Sequence, residues 1–73
     1  MKEVNFGEYL RSIRKSKNLS IVKLAEISGV SNPYISQLEN NKFTPSIEIM
    51  LKLAKALDVS MLELLKGAGY LSE

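Results

Sequence analysis

Residues 20–40 read Ser-Ile-Val-Lys-Leu-Ala-Glu-Ile-Ser-Gly-Val-Ser-Asn-Pro-Tyr-Ile-Ser-Gln-Leu-Glu-Asn, and this stretch decides the fold. Ser20 and Ser31 are each the kind of residue that caps a helix N-terminus, because a serine hydroxyl accepts a hydrogen bond from an otherwise unpaired N–H of the first turn. Between them stands Gly29, where the backbone can reverse through positive φ with no Cβ penalty. Leu24, Ala25, Val30, Ile35 and Leu38 are the apolar positions, and Pro33 falls in a first turn, where a missing N–H costs nothing. The segment predicts two short helices joined by a tight turn. The second carries an apolar edge on one side and small polar residues on the other, an arrangement that holds a helix against a partner.

The same cap logic extends outward in both directions. Asn5 reads as the first N-cap, with Glu8 completing a capping box and Val4 stapling to Tyr9. Phe6, Tyr9, Leu10 and Ile13 then form one apolar stripe, and the helix should run to about Lys17, with Arg14, Lys15 and Lys17 suiting its C-terminal dipole and Asn18 ending it. In the second helix, Leu19 and Leu24 stand at staple spacing, and Ser28-Gly29 closes it. The third helix pairs Val30 with Ile35 and ends near Asn40-Asn41. A loop of Lys42, Phe43 and Thr44 follows.

The fourth helix has two candidate caps, Thr44 with Pro45 inside, or Ser46 with Pro45 outside. Ile47, Ile49, Met50, Leu51, Leu53, Ala54 and Leu57 cover so much of its circumference that it is expected in the middle of a bundle, with Asp58 as its end. Ser60 and Glu63 form a second capping box, Val59 staples to Leu64, and Gly67 is the expected C-cap of a fifth helix. No strand pattern, repeat or low-complexity segment is readable. The expectation is an all-α, compact five-helix bundle over residues 1–66, with 67–73 a C-terminal tail that serves dimerisation or links to a further domain.

Composition narrows the function. Seventy-three residues with 45% hydrophobic and 25% charged side chains suit one ordinary globular domain. No run approaches the roughly 20 apolar residues that span a bilayer, so no membrane partner is expected and the localisation expected is cytoplasmic. With neither cysteine nor histidine, the commonest metal ligands and the commonest general base are missing. No Gly-rich phosphate loop or clustered carboxylate pair stands in for them. The chain is expected to be no enzyme, to need no cofactor or metal, and to show no evident small-molecule ligand. Residues 1–42 hold seven Lys/Arg against four acids, while 43–73 hold three against four. The basic excess thus accompanies the helix-turn-helix half, as it would if that half faced an anionic partner.

At about 100° per residue, Ile35 and Leu38 share one side of the third helix. Asn32, Pro33, Ser36, Gln37 and Asn40 share the other, flanked by Tyr34 and Glu39. An uncharged amide and hydroxyl face suits base edges: Gln or Asn can match adenine bidentately, and Pro33 or Tyr34 can touch thymine methyls. It also suits a face that is merely solvated. For the backbone, Ser20 and Ser31 open helices whose N–H groups favour anions. Asn40 and Lys42 lie just past the third helix, and Lys23, Arg11 and Lys15 are candidates for the outer rim.

The stretches Phe6-Gly-Glu-Tyr-Leu-Arg-Ser-Ile-Arg, Leu19-Ser, Lys23-Leu-Ala, Gly29-Val-Ser, Tyr34-Ile-Ser-Gln-Leu-Glu-Asn, Pro45-Ser and Leu53-Ala-Lys-Ala-Leu, in that order, resemble the lambdoid phage repressor and Cro type of helix-turn-helix, the XRE family, over about residues 6–66. The resemblance implies a lambda-repressor-like domain that binds operator double-stranded DNA, usually as a homodimer, with the third helix in the major groove. It places base-contacting sites on Asn32, Pro33 and Gln37, with Ser31, Tyr34 and Ser36 beside them. Phosphate-contacting sites fall on Asn40 and Lys42 and near the start of the second helix, and a buried ion pair falls on Arg14 and Glu39. Two departures stand out. The phage proteins often carry Gln where this chain has Ile21 and where it has Pro33, so a different sequence should be read.

The function expected is a sequence-specific transcriptional regulator, most simply a repressor. The alternatives are an antitoxin-like protein-interaction module of the same fold with secondary DNA binding, and an RNA-associated or bridging factor. Met61, Leu64, Tyr70 and Leu71 exceed what docking a fifth helix requires. They are candidates for a homodimer contact or for a tail folded over the core.

Overall fold

In a computed structural model, residues 6–42 and 44–67 are described, and they form five α-helices and no strand. These are α1 Phe6–Ser16, α2 Ile21–Ser28, α3 Asn32–Glu39, α4 Ile47–Leu57 and α5 Met61–Gly67. The cap expected at Asn5, the staple residue Val4, the loop residue Phe43 and the tail residues Tyr70 and Leu71 lie outside the described residues.

Serine hydroxyls start four of the helices. The Oγ atoms of Ser20, Ser31, Ser46 and Ser60 accept from the N–H groups of Lys23, Tyr34, Ile49 and Glu63 at 3.0, 3.3, 3.2 and 3.0 Å. The choice at α4 therefore falls on Ser46, with Pro45 outside the helix and buried. Helix ends follow one rule as well. Gly29 takes φ 79°, and the non-glycine residues Asn18, Asn41 and Asp58 take φ 60°, 58° and 60°, the left-handed conformation that short polar side chains tolerate best after glycine. At Asn41 the closure is a Schellman motif: Asn41 N–H donates to Leu38 O at 3.0 Å and Lys42 N–H to Gln37 O at 2.9 Å. Helix α1 stops at Ser16, against an expected end at about Lys17: the Lys17 N–H is shared between Ile13 O at 3.1 Å and Arg14 O at 3.2 Å, and the Asn18 N–H donates to Lys15 O at 2.9 Å, a tighter turn that closes the helix. Gly67, the expected C-cap, is the last described residue and falls within α5.

One core holds the five helices together. Leu10, Leu24, Ile35, Leu38, Met50, Leu53, Leu57 and Leu64 are completely buried, with Phe6, Val30 and Ala54 nearly so. Helix α2 packs on α3 and α4, α1 on α3, and α4 on α5. Two expectations need correction here. Ile47 and Leu51 are 59% and 48% exposed, so α4 is not enclosed on all sides; its buried face is the narrower stripe Met50, Leu53, Ala54 and Leu57. Leu64 is sealed inside the domain's own core, so its side chain is not available for a homodimer contact. Met61 is half-buried against that core.

Candidate nucleic-acid interface

Helix α3 is presented by burial of its inner side. Ile35 and Leu38 are fully buried, while Asn32, Pro33, Gln37 and Asn40 are exposed and Ser36 is half-buried. Tyr34 is also half-buried, its ring set against the edge of the core. The outward face therefore carries amide, hydroxyl and pyrrolidine groups and no charge. Asn40 does not present its whole amide, since its Nδ2 donates to Ser36 O at 2.9 Å. Asn40 is nonetheless exposed, as is Lys42 just beyond it. Ser20 and Ser31 spend acceptor capacity as caps, which leaves each hydroxyl proton free to donate to an anion. Lys23 is exposed and forms a surface ion pair with Glu26 at 3.4 Å, a pair weak enough to exchange for another partner.

The angle of α3 is fixed from α1. Arg14 Nε donates to Glu39 Oε2 at 2.6 Å and Arg14 Nη2 to Glu39 Oε1 at 3.0 Å, and Arg14 Nη1 donates to Leu19 O at 2.8 Å. One guanidinium thus ties α1, the α1–α2 connection and α3 together. The hydrogen bonds to Glu39 raise Arg14 above its ordinary pKa; burial opposes them, and the Glu39 charge adds to the rise. Every buried side-chain polar atom among the described residues has a partner.

Three contacts of this seam were not readable in the sequence, although Arg11 and Asn41 were named there in other roles. Arg11 Nε also donates to Glu39 Oε1, at 3.3 Å. Asn41 Oδ1 accepts the N–H of Gly7 at 3.0 Å, so the residue that closes α3 also caps the first turn of α1. Gly7 lets the two backbones touch: a Cβ there would stand 2.7 Å from the carbonyl carbon of Glu39 and 2.8 Å from the carbonyl oxygen of Leu38. A glycine in the first turn of a helix was the available signal. Among the described residues no group of His, Cys, Asp or Glu is arranged to hold a metal ion. An open depression of about 430 Å³ is lined by Tyr9, Ser60, Leu62, Glu63 and Lys66, and by no α3 residue.

A family model described as helix-turn-helix matches residues 10–64. The chain belongs to this helix-turn-helix family. It is 46% identical over 65 residues to an uncharacterized HTH-type transcriptional regulator of Mycobacterium tuberculosis, an alignment covering 89% of this chain and 46% of that protein. The chain spans about half the length of the first of its curated relatives. Among solved structures it resembles the DNA-binding domain of the P22 c2 repressor, with a TM-score of 0.83 and 39% identity over 99% of this chain and 92% of that one. It also resembles SinR, a master regulator for biofilm formation, in complex with DNA, with a TM-score of 0.78 and 39% identity over 82% of this chain and 97% of that one. The bundle is thus a lambda-repressor-like helix-turn-helix domain.

Proposed function

We propose that this domain is a sequence-specific double-stranded DNA-binding transcriptional regulator, acting most simply as a cytoplasmic repressor that occludes a promoter. The observation that carries the proposal is the division of α3: Ile35 and Leu38 wholly inside, Asn32, Pro33 and Gln37 outside and uncharged. In the major groove this face reads base edges with Gln37 and Asn32, assisted by Ser36 and by apolar contact from Pro33 and Tyr34. Lys42, Asn40, Lys23 and the Ser20 and Ser31 hydroxyls supply phosphate contacts that set register. The names of the relatives above support the same reading.

One short helix makes a small interface, so two copies on half-sites about 34 Å apart belong to the proposal. Met61 remains a candidate contact with Tyr70 and Leu71, and the exposed Ile47, Leu51 and Leu62 favour as second reading a protein-interaction module in which DNA binding is secondary. Selection from random duplexes, followed by affinity measured against salt, tests the first reading. A defined operator and a steep log–log slope support it; weak binding indifferent to sequence overturns it.

A further inference from the structure

Glu39 is clasped by two arginines, and only one of them is buried with it. Its Oε1 accepts Arg14 Nη2 at 3.0 Å and Arg11 Nε at 3.3 Å. The Glu39 and Arg14 side chains are 2% and 9% exposed, that of Arg11 43%. One carboxylate facing two guanidiniums leaves a positive charge in excess, and it resides on the half-exposed member. A guanidinium has five N–H donors in a fixed fork. Glu39 engages the Nε of Arg11 and holds the fork in place.

The direction of that fork follows from the helix faces. Taking about 100° per residue from Gly7, Gly7 and Arg14 share the side of α1 pressed onto α3. Phe6, Tyr9 and Ile13 lie round to the core side of that seam, and Arg11 lies on the opposite, outer side. On α3, Glu39 sits at the seam, Ile35 and Leu38 lie to its core side, and Ser36 and Asn32 to its outer side. Arg11 and the polar face of α3 therefore border the seam on the same side. The bond from Gly7 to Asn41 and the close backbone contact at Gly7 keep the two helices in this register.

We propose that Arg11 is a phosphate-contacting residue of the DNA interface, prealigned by Glu39, its terminal amino groups reaching the strand that borders the groove entered by α3. The inference rests on the DNA-binding reading above and adds to it a contact made from α1. Arg11→Gln removes the charge while keeping a side chain able to bond Glu39. Its affinity for the selected operator, measured across salt, should give a log–log slope shallower by about 0.9 per bound protomer. A fourfold rise in salt should then cost the variant about 3.5-fold less per protomer than wild type. The affinity lost at low salt should be the same factor on operator and unrelated duplex, because phosphate contacts carry no sequence information. Arg11→Lys should restore the slope. Lys52→Gln, which removes the same charge from an exposed position of α4, should leave it unchanged.

A wild-type slope in Arg11→Gln overturns the inference, as does a loss confined to the operator or an equal change in Lys52→Gln. These outcomes leave the DNA-binding reading standing. A wild-type domain with no salt-dependent affinity for any duplex removes that reading and the inference together.

Discussion

Arg14 and Glu39 meet through two hydrogen bonds, at 2.6 and 3.0 Å, inside the seam between α1 and α3. A buried pair of this kind contributes little net stability against an apolar replacement, but removing one partner strands the other charge. Glu39→Ala leaves Arg14 and Arg11 facing each other with no anion between them, and should cost about 3–5 kcal/mol. Arg14→Ala should fall toward the lower end of that range, because Arg11 still reaches Glu39. Urea unfolding of both variants checks the order. A loss under about 1 kcal/mol for either would mean the pair does not set the packing of α3.

Gly7 and Gly29 are both required, for opposite reasons, and alanine substitution separates them. At Gly7 helix propensity favours alanine by about 1 kcal/mol, but the new Cβ would press on backbone atoms of Leu38 and Glu39, which have no rotamer through which to yield. Overpacking of this kind costs about 1–3 kcal/mol. The net effect of Gly7→Ala is expected to be destabilising, with α3 displaced and operator affinity reduced. At Gly29 nothing lies within 4 Å of an added Cβ, and only the φ of 79° opposes it. Gly29→Ala should cost about 1–2 kcal/mol and Gly29→Asn less, with operator affinity kept under conditions where both remain folded. Thermal melts and operator titrations on the three variants give the comparison.

The helix starts were readable because each is a local event. A serine three residues before its N–H partner caps α2, α3, α4 and α5 regardless of what surrounds it. What escaped is what joins positions distant in sequence. Gly7 and Asn41 are 34 residues apart and Arg11 and Glu39 are 28 apart, so no helical period connects them. Arg14 and Glu39 are 25 apart, and only the family resemblance pairs them. Periodicity also marks which residues are apolar without saying what covers them. The pattern by itself leaves Leu64 available to a second copy, whereas the domain's own core encloses it, and gives Ile47 and Leu51 an interior place, whereas both are exposed.

Tyr9 gives the fold an alkaline limit. Its hydroxyl donates to the Glu63 carbonyl at 3.1 Å, linking α1 to α5. Burial first, and then the Glu63 charge, raise its pKa above 10.0. The folded state therefore keeps the phenol proton longer than the unfolded chain. Stability from this group is complete below the unfolded value near 10.0 and is lost as pH rises from there through the folded value. Tyr9→Phe loses the exposed hydrogen bond, about 0.5–1 kcal/mol at neutral pH, but has no phenol to ionise. Denaturation midpoints should show wild type ahead at neutral pH, with its lead shrinking above pH 10. A constant difference across that range would mean that Tyr9 ionises equally in both states.

Gln37 is where sequence reading by this domain is most open to test. It is exposed on the outer face of α3, and its main-chain carbonyl is already occupied by the Lys42 N–H, so substitution acts through the side-chain amide. If that amide pairs with a base edge, Gln37→Ala should cost about 1–3 kcal/mol on the preferred operator. Discrimination should relax at one base pair per half-site, while the salt slope stays at the wild-type value. Lys42→Ala should behave in the reverse way, weakening all duplexes alike and lowering the slope. Pro33 differs from both, since it has no hydrogen to donate. Pro33→Gln should add discrimination at a second base pair, provided the Ser31 cap still holds the first turn. Affinity across a panel of single-base operator variants distinguishes the three. A uniform loss in Gln37→Ala over the whole panel would remove Gln37 as a reader and shift base recognition to Asn32 and Ser36.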